Sequence, residues 1–217
     1  MHLPWRLVNP ASLAEIAMPG YPGYTMAVPN IPELQWMVKY AASLDLPHPV
    51  PTSLTVKEAR LLARLAKGGK VLEVGSSYGF STIVMACTAD HVDAIDPHPE
   101  LAELNPGTLA GLQSATKEYG VDDRITVIRD YSYNVLPKMT RHSYDLIFVD
   151  AYHEEEAVAI DAELVRDLVK PGGYLAFHDY AEDWCPGVAQ AVDRVLGPGG
   201  KVTDTLWVRQ AKKLPEE

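Results

Sequence analysis

The chain has 217 residues, of which 47% are hydrophobic and 22% are charged, and its formal net charge is -10. This length predicts one core domain with an extension, and the apolar content excludes a chain that is disordered throughout. The acidic charge argues against nucleic acid as a partner, because binding to phosphates needs clustered Lys and Arg side chains.

The N-terminal residues differ in character from the rest, since nine of the 17 prolines precede Thr52. They predict an irregular extension over residues 1–53, with a helix capped by Asn30 and with aromatic side chains that form a lid, a subunit contact or simple core packing. No long apolar run follows a basic start, so we expect neither a signal peptide nor a membrane anchor. We therefore expect a cytoplasmic protein in which Cys87 and Cys185 are reduced thiols.

From Thr55 onward the sequence alternates helical and strand patterns. Thr55 and Glu58 form a T-x-x-E capping box at the start of a helix, which Gly68 and Gly69 end. Short apolar runs then alternate with amphipathic stretches, which is typical of βα units around a parallel sheet. The predicted strands cover residues 70–74, 91–95, 124–129, 144–149 and 173–178. The predicted helices cover residues 80–88, 108–119, 131–139, 154–169 and 187–196, and residues 201–210 form one strand or a tight hairpin. We predict an α/β fold with a Rossmann-like, doubly wound and mostly parallel sheet and helices on both faces.

The stretch VLEVGSSYGFS, residues 71–81, has the pattern of a buried strand, a glycine-containing turn and the start of a helix. Gly75 permits a sharp turn, and Gly79 lets a ligand approach the backbone closely. The spacing is G-x-x-x-G rather than G-x-G-x-x-G, and no G-K-[ST] follows. Glu73 would repel a pyrophosphate but suits a cationic ligand. Two interpretations other than a loop for a cationic cofactor stay open: a tight turn in another α/β protein, and the cofactor loop of a nicotinamide oxidoreductase.

This stretch resembles the first motif of class I S-adenosylmethionine-dependent methyltransferases, in which hydrophobic residues and a Glu or Asp precede the glycines. The resemblance implies that residues 54–217 form the cofactor-binding methyltransferase domain and that S-adenosylmethionine is the cofactor. It implies that Glu73 organises the methionine end. The resemblance also implies that further residues of the motif line the cofactor: Gly75, Ser77, Gly79 and Ser81.

Acidic residues also follow the next two predicted strands. Asp96 lies about 20 residues past the glycines, at the spacing expected for a carboxylate that holds ribose hydroxyls. In the family, the acidic residue after the third strand and its neighbour contact the adenine, which implies that role for Asp130 and Tyr131. The alternatives are a turn or cap role for Asp96 and a helix N-terminal role for Asp130.

The segment over residues 144–180 places two carboxylates at one sheet edge, because Asp150 and Asp179 end the fourth and fifth predicted strands. It resembles small-molecule O-methyltransferases of the catechol, macrolide-sugar (macrocin-type) and cephalosporin-associated group. The resemblance implies that His153 is the catalytic base beside Asp150. It also implies a divalent metal, magnesium or another ion, at Asp150 and Asp179, and the residue beside Asp179 that would complete this candidate metal site is His178.

His178 departs from the pattern of that group, because imidazole is a poor ligand for magnesium. Three possibilities stay open: water replaces the missing ligand, the site prefers a transition metal, or the metal has been lost. His178 as a buried core histidine, Asp150 as a helix cap and His153 as a substrate-positioning residue are the alternatives to these site roles.

We therefore predict an enzyme that moves a methyl group from S-adenosylmethionine to a hydroxyl of a small-molecule acceptor, assisted by a histidine and by a metal if one is bound. The alternatives are a non-catalytic cofactor-binding regulatory or assembly protein, and a methyltransferase for a protein or another non-hydroxyl acceptor. A hydrolase is disfavoured, because the sequence contains no G-x-S-x-G elbow. We expect no nucleic-acid or membrane partner and a homo-oligomer, namely a dimer.

Overall fold

The computed structural model describes the backbone of residues 13–17 and 25–29, and residues 50–98 and 107–212 in full. In the N-terminal extension, β1 (Leu13–Ala17) pairs antiparallel with β2 (Thr25–Pro29). This hairpin was not predicted from the proline-rich sequence. The helix expected after Asn30 and the aromatic side chains of the extension lie outside the described residues.

The core domain is a sheet with helices on both faces. Its strands are β3 (Lys70–Val74), β4 (His91–Ile95), β5 (Ile125–Ile128), β6 (Tyr144–Val149), β7 (Val169–Phe177), β8 (Lys201–Thr203) and β9 (Leu206–Gln210). Its helices are α1 (Val56–Ala66), α2 (Phe80–Ala86), α3 (Thr108–Glu118), α4 (Ser132–Val135), α5 (Glu155–Val165) and α6 (Gly187–Leu196). Single 3-10 turns cover Asp122–Arg124 and Leu136–Lys138.

The seven strands lie in the order β5-β4-β3-β6-β7-β9-β8. The five strands from β5 to β7 are parallel, whereas β9 pairs antiparallel with β7 and with β8. The predicted Rossmann-like, mostly parallel sheet is confirmed, and residues 201–210 form the hairpin rather than one strand. Strand order reverses between β3 and β6, and ligands of such sheets bind at this point beyond the carboxyl ends of the strands.

Neighbouring residues of the central strands are buried on opposite faces of the sheet, which explains why helices cover both faces. Val71 and Phe148 belong to one buried cluster, and their neighbours Leu72 and Ile147 belong to the cluster on the other face. Successive side chains of a strand point to opposite faces. A strand that is apolar at consecutive positions must therefore be covered by helices on both sides.

Several predicted elements have different bounds in the structure: the helix expected over residues 154–169 covers only Glu155–Val165, and two further differences have a clear physical reason. The strand expected from residue 173 begins at Val169, because the pairing of β6 with β7 shifts register between Tyr144 and Leu146 and admits the Pro-Gly-Gly segment into the strand. The helix expected over residues 131–139 is one α-turn and one 3-10 turn, since Pro137 has no N–H to continue the α-helical pattern.

Candidate active site

The loop between β3 and α2 bends through three residues with positive φ: Gly75 at 95°, Ser77 at 45° and Gly79 at 90°. A Cβ atom at Gly75 would lie 2.0 Å from the carbonyl oxygen of Asp150, so only glycine fits there. Gly79 precedes the first residue of α2, and its Cβ would meet Leu112 at 3.0 Å. The glycine loop is therefore packed directly against the end of β6.

Glu73 is fully buried and accepts hydrogen bonds from the hydroxyl groups of Ser81 and Thr82 in the first turn of α2. Burial raises the pKa of the Glu73 carboxyl to about 8, even though the two hydroxyl donors act in the opposite direction. In the described structure, Glu73 and Ser81 therefore hold the loop to the helix. A direct contact of either residue with the cofactor stays a prediction, and sequence reasoning missed Thr82.

The raised pKa of Glu73 predicts how stability changes with pH. The unfolded carboxyl titrates near 4.5 and the folded one near 8, so between these values the folded state keeps a proton that the unfolded state has lost. The free energy of unfolding should therefore decline with rising pH in this range, by at most about 1.4 kcal/mol per pH unit. Glu73→Gln should remove this part of the decline, as measured by urea unfolding at several pH values. Identical pH slopes in the two proteins would contradict the prediction.

Asp96 reaches the glycine loop from the end of β4. Its carboxylate accepts hydrogen bonds from the N–H of Ser77 at 2.9 Å and from the N–H of His98 at 2.8 Å. His98 is buried, and its ring lies 3.3 Å from the Ser76 hydroxyl and 3.1 Å from that of Thr108. The structure therefore brings Asp96 together with the predicted loop, and His98 is a supporting residue that sequence reasoning missed.

Asp130 lies between β5 and α4, where its carboxylate accepts hydrogen bonds from the side chain of Asn134 at 2.9 Å and from the N–H of Tyr131 at 2.7 Å. These two donors, Asn134 first, lower the pKa of Asp130. Tyr131 is exposed and its ring stacks on Tyr133 with centroids 5.3 Å apart. The described contacts of Asp130 are those of a helix N-terminal residue, and the adenine role of Asp130 and Tyr131 stays a prediction.

The second half of the site joins the ends of β6 and β7. His153 Nε2 lies 2.9 Å from Asp179 Oδ2 and 4.0 Å from Asp150 Oδ1, and its ring lies 4.9 Å from that of the exposed Trp184. Burial alone would lower the pKa of His153, but the hydrogen bond with Asp179 and the charge of Asp150 raise it overall. A small pocket here is lined by Asp150, His153 and His178, among other residues.

His178 is almost completely buried among three carboxylates. Its Nδ1 atom lies 3.2 Å from Asp179 Oδ1 and 3.4 Å from Asp150 Oδ2, and its Nε2 atom lies 3.5 Å from Glu58 Oε2. Neither ring nitrogen has a partner in hydrogen-bond geometry among the described residues. Burial opposes a charge on the ring, but Asp150 and the other two carboxylates outweigh it and raise the pKa of His178. This position strongly favours positive charge.

Two of the three carboxyl groups around His178 have lowered pKa values. Burial favours the neutral acid of Asp179, but His153 and His178 outweigh it and lower the pKa of Asp179. Burial acts in the same way on Glu58, whereas His178, Thr55 and Thr205 bring its pKa down to about 2. Both carboxyl groups are therefore held in the ionised form at neutral pH.

A divalent metal fits the donor atoms at this edge. One ligand atom each from Asp150, His153 and Asp179 lies within 4.8 Å of the others, and the unpartnered Nδ1 of His178 faces the two carboxylates. The donors combine oxygen and nitrogen, whereas magnesium prefers oxygen alone. The residues present therefore fit a metal ion that accepts imidazole better than they fit magnesium.

Glu58 is the site residue that sequence reasoning placed only in a capping box. That capping box is confirmed in the structure. The signal for a second role was available, because Glu58, Leu62 and Ala66 recur at helical spacing and are the buried residues of α1. A carboxylate on the buried stripe of a helix requires a partner in the interior.

Comparisons with known proteins identify the family of the chain. Residues 72–180 match the family described as a methyltransferase domain. The catechol O-methyltransferase of Mycobacterium tuberculosis is 29% identical over 164 residues, which are 70% of this chain and 71% of that protein. Other mycobacterial relatives are 30% identical over 161 residues, and the chain spans 64% of their length.

Solved structures share the fold. The O-methyltransferase TomG from Streptomyces achromogenes, involved in tomaymycin synthesis and solved with S-adenosylmethionine, superimposes with a TM-score of 0.59 at 18% identity, over 85% of this chain and 92% of that one. An O-methyltransferase from Bacillus cereus, solved with S-adenosylhomocysteine, has a TM-score of 0.59 at 16% identity, with the same coverage of both chains. No helix in the described part of this chain is long and apolar enough to cross a membrane.

Proposed function

The chain belongs to the methyltransferase domain family as a class I S-adenosylmethionine-dependent O-methyltransferase, and on this premise we propose that it methylates a hydroxyl of a small-molecule acceptor with His153 as general base. The observation that carries the proposal is the position of His153. It is held by Asp179 at 2.9 Å, beside Asp150, whose backbone packs against Gly75 of the cofactor loop. The proposed base and the proposed cofactor loop thus meet at one edge of the sheet.

The cofactor lies, in this proposal, across the carboxyl ends of β3, β4 and β5. The turn at Gly75, Ser77 and Gly79 offers main-chain groups and close access. Asp96 holds the ribose hydroxyls, and Asp130 with Tyr131 borders the adenine. The sulfonium then lies nearest to the contact between Gly75 and Asp150.

In the methyl transfer itself, the acceptor oxygen forms a bond to the methyl carbon while the carbon–sulfur bond breaks. The hydroxyl proton passes to His153, and S-adenosylhomocysteine is the second product. Because Nε2 of His153 is engaged by Asp179, Nδ1 is the nitrogen that accepts the proton. The Asp179 carboxylate fixes the ring and stabilises the imidazolium that forms. The tilted ring of Trp184 against His153 provides an exposed apolar wall for the acceptor.

We include a divalent metal in the proposal, held by Asp150, Asp179 and His178. When bound, such an ion lowers the pKa of an acceptor hydroxyl and orients its oxygen. The roles of residues 1–53 as lid or subunit contact, the homodimer and the cytoplasmic location stay predictions.

The proposed function is tested with isotope-labelled S-adenosylmethionine and a panel of catechols, other phenols, sugars and aliphatic alcohols, with amines and a protein extract as competing acceptors. We expect a methyl ether and S-adenosylhomocysteine in equal amounts with at least one hydroxyl acceptor. Methylation of amines or proteins alone would favour the non-hydroxyl alternative. Cofactor binding without product on any acceptor would favour the non-catalytic one.

A further inference from the structure

We propose that Glu58 on α1 holds the His178 ring so that its Nδ1 atom joins Asp150 and Asp179 as a nitrogen ligand, which makes this site select a transition-metal ion over magnesium. This inference deepens the metal part of the proposed function. The test measures ion binding and requires no methyl transfer, so the metal proposal and the proposed methyltransferase function can fail separately.

Glu58 is immobilised more firmly than a helix cap requires. Its Oε2 atom accepts a hydrogen bond from the N–H of Thr55 at 2.7 Å, and its Oε1 atom accepts two from Thr205, from the N–H at 2.8 Å and from the hydroxyl at 2.9 Å. The residue is fully buried, and its Oε2 also faces Nε2 of His178 at 3.5 Å. The carboxylate is therefore fixed on the side of the imidazole that faces away from the pocket carboxylates.

Because a metal ion can bind His178 only by replacing one of its two ring protons, a carboxylate in that position determines which proton remains. An ionised carboxylate only accepts hydrogen bonds, so the nitrogen that faces it must carry the hydrogen. In the ion-bound form, Nε2 of His178 therefore keeps its hydrogen, and Nδ1 has released its proton and directs its lone pair at an ion beside Asp150 and Asp179. Carboxylate–histidine–metal units are built in this way, with the outer carboxylate fixing the tautomer and the orientation of the ligand.

Nδ1 of His178 lies beside the carboxylate oxygens as metal ligands lie beside one another. Two carboxylate oxygens lie 3.2 Å and 3.4 Å from it, yet neither lies in the direction of a hydrogen bond. Atoms that share one ion lie beside each other in this way, because each is directed at the ion rather than at its neighbour. A buried nitrogen without a hydrogen-bond partner, between two carboxylates, favours a positive charge at this point, and a bound cation supplies that charge when it replaces the ring proton.

The donor types decide which cation is preferred. Magnesium takes oxygen ligands in a strict octahedron and keeps several waters. Imidazole nitrogen suits the first-row transition metals, whose affinities for mixed nitrogen and oxygen sites rise from manganese toward copper. Two carboxylates and the imidazole of His178, with His153 adjacent, therefore favour such an ion.

The test uses the full chain, freed of metal by a chelator, with neither cofactor nor acceptor present. Cobalt(II) and magnesium are titrated by calorimetry, and the cobalt absorption spectrum reports nitrogen coordination. We expect cobalt to bind at least about 100-fold more tightly than magnesium. Equal affinities, tighter magnesium binding or no cobalt binding would overturn the proposal without any variant.

Glu58→Gln tests the orienting role. The glutamine amide can donate to Nε2, which favours hydrogen on Nδ1 and turns an N–H toward the two carboxylates. We expect cobalt affinity to fall by about 10- to 100-fold, with weak magnesium binding unchanged. Asp204→Ala is the matched control, since Asp204 accepts from Thr55 and Lys57 at the same junction and makes no described contact with His178. Equal losses in the two variants, at matched thermal stability, would show a structural role alone and overturn the assignment.

Discussion

Replacement of His153 by glutamine should lower the turnover number of methyl transfer by about 10²- to 10⁴-fold, the usual contribution of a general base. The imidazole accepts the acceptor proton while Asp179 holds the ring, and an amide side chain cannot accept that proton. Because the proposed cofactor contacts do not involve His153, we expect the affinity for S-adenosylhomocysteine to stay within about twofold. Single-turnover rates with an acceptor from the panel, together with calorimetry, measure the two quantities.

His91→Gln is the control for that variant. His91 begins β4 at the opposite edge of the sheet, where its ring lies 3.0 Å from the Thr126 hydroxyl, so the same chemical change there should leave turnover unaffected. A His153→Gln protein with wild-type turnover would exclude His153 as the base and would favour a substrate-positioning role or none.

Asp96→Ala should weaken the binding of S-adenosylhomocysteine by about 10- to 100-fold, since a hydrogen bond to a charged group contributes about 1.5–3 kcal/mol. The substitution removes the carboxylate proposed to hold the ribose. It also removes the acceptor for the N–H groups of Ser77 and His98, and thereby loosens the cofactor loop. Calorimetric titration of the two proteins measures the change.

Asp130→Ala provides a comparison at the end of the adjacent strand. Both donors to Asp130 belong to its own helix start, Tyr131 and Asn134, so we expect a smaller loss of affinity there than at Asp96. Undiminished binding in Asp96→Ala would contradict the cofactor assignment at its central residue. A larger loss of affinity in Asp130→Ala than in Asp96→Ala would instead indicate that the main contact with the cofactor lies at the adenine.

The central strands could be predicted closely from the sequence, because their apolar runs are short and bounded by glycine or polar residues. Lys70–Val74, His91–Ile95 and Tyr144–Val149 have the predicted bounds, as does helix α6. The start of β7 was misjudged, since Pro171 and the two glycines after it have the pattern of a turn and only pairing with β6 draws them into the sheet. Local composition cannot reveal a register shift that depends on a neighbouring strand.

Site residues that directly follow a strand could be predicted from the sequence. A site residue that a distant helix contributes could not. The topology places Asp96, Asp150 and Asp179 at one sheet edge, as the sequence implies, and the structure joins His153 to Asp179. The approach of Glu58 to His178 is different, because it depends on how α1 packs on the sheet. No spacing rule connects two residues so far apart in the chain, and a buried carboxylate on a helix stripe was the one local sign.

The hydrogen bonds from Thr205 to Glu58 determine which part of the site can form first while the chain is being synthesised. The glycine loop, Asp96 and their supporting contacts lie in the first half of the core domain and close among themselves. Two of the three hydrogen bonds that fix Glu58 come from Thr205 in the turn between β8 and β9, which leaves the ribosome after every other residue of the site. A nascent chain that has extended only through α6 therefore contains every residue proposed to bind the nucleoside, whereas Glu58 beside the proposed ion site must await the last hairpin for two of its hydrogen bonds.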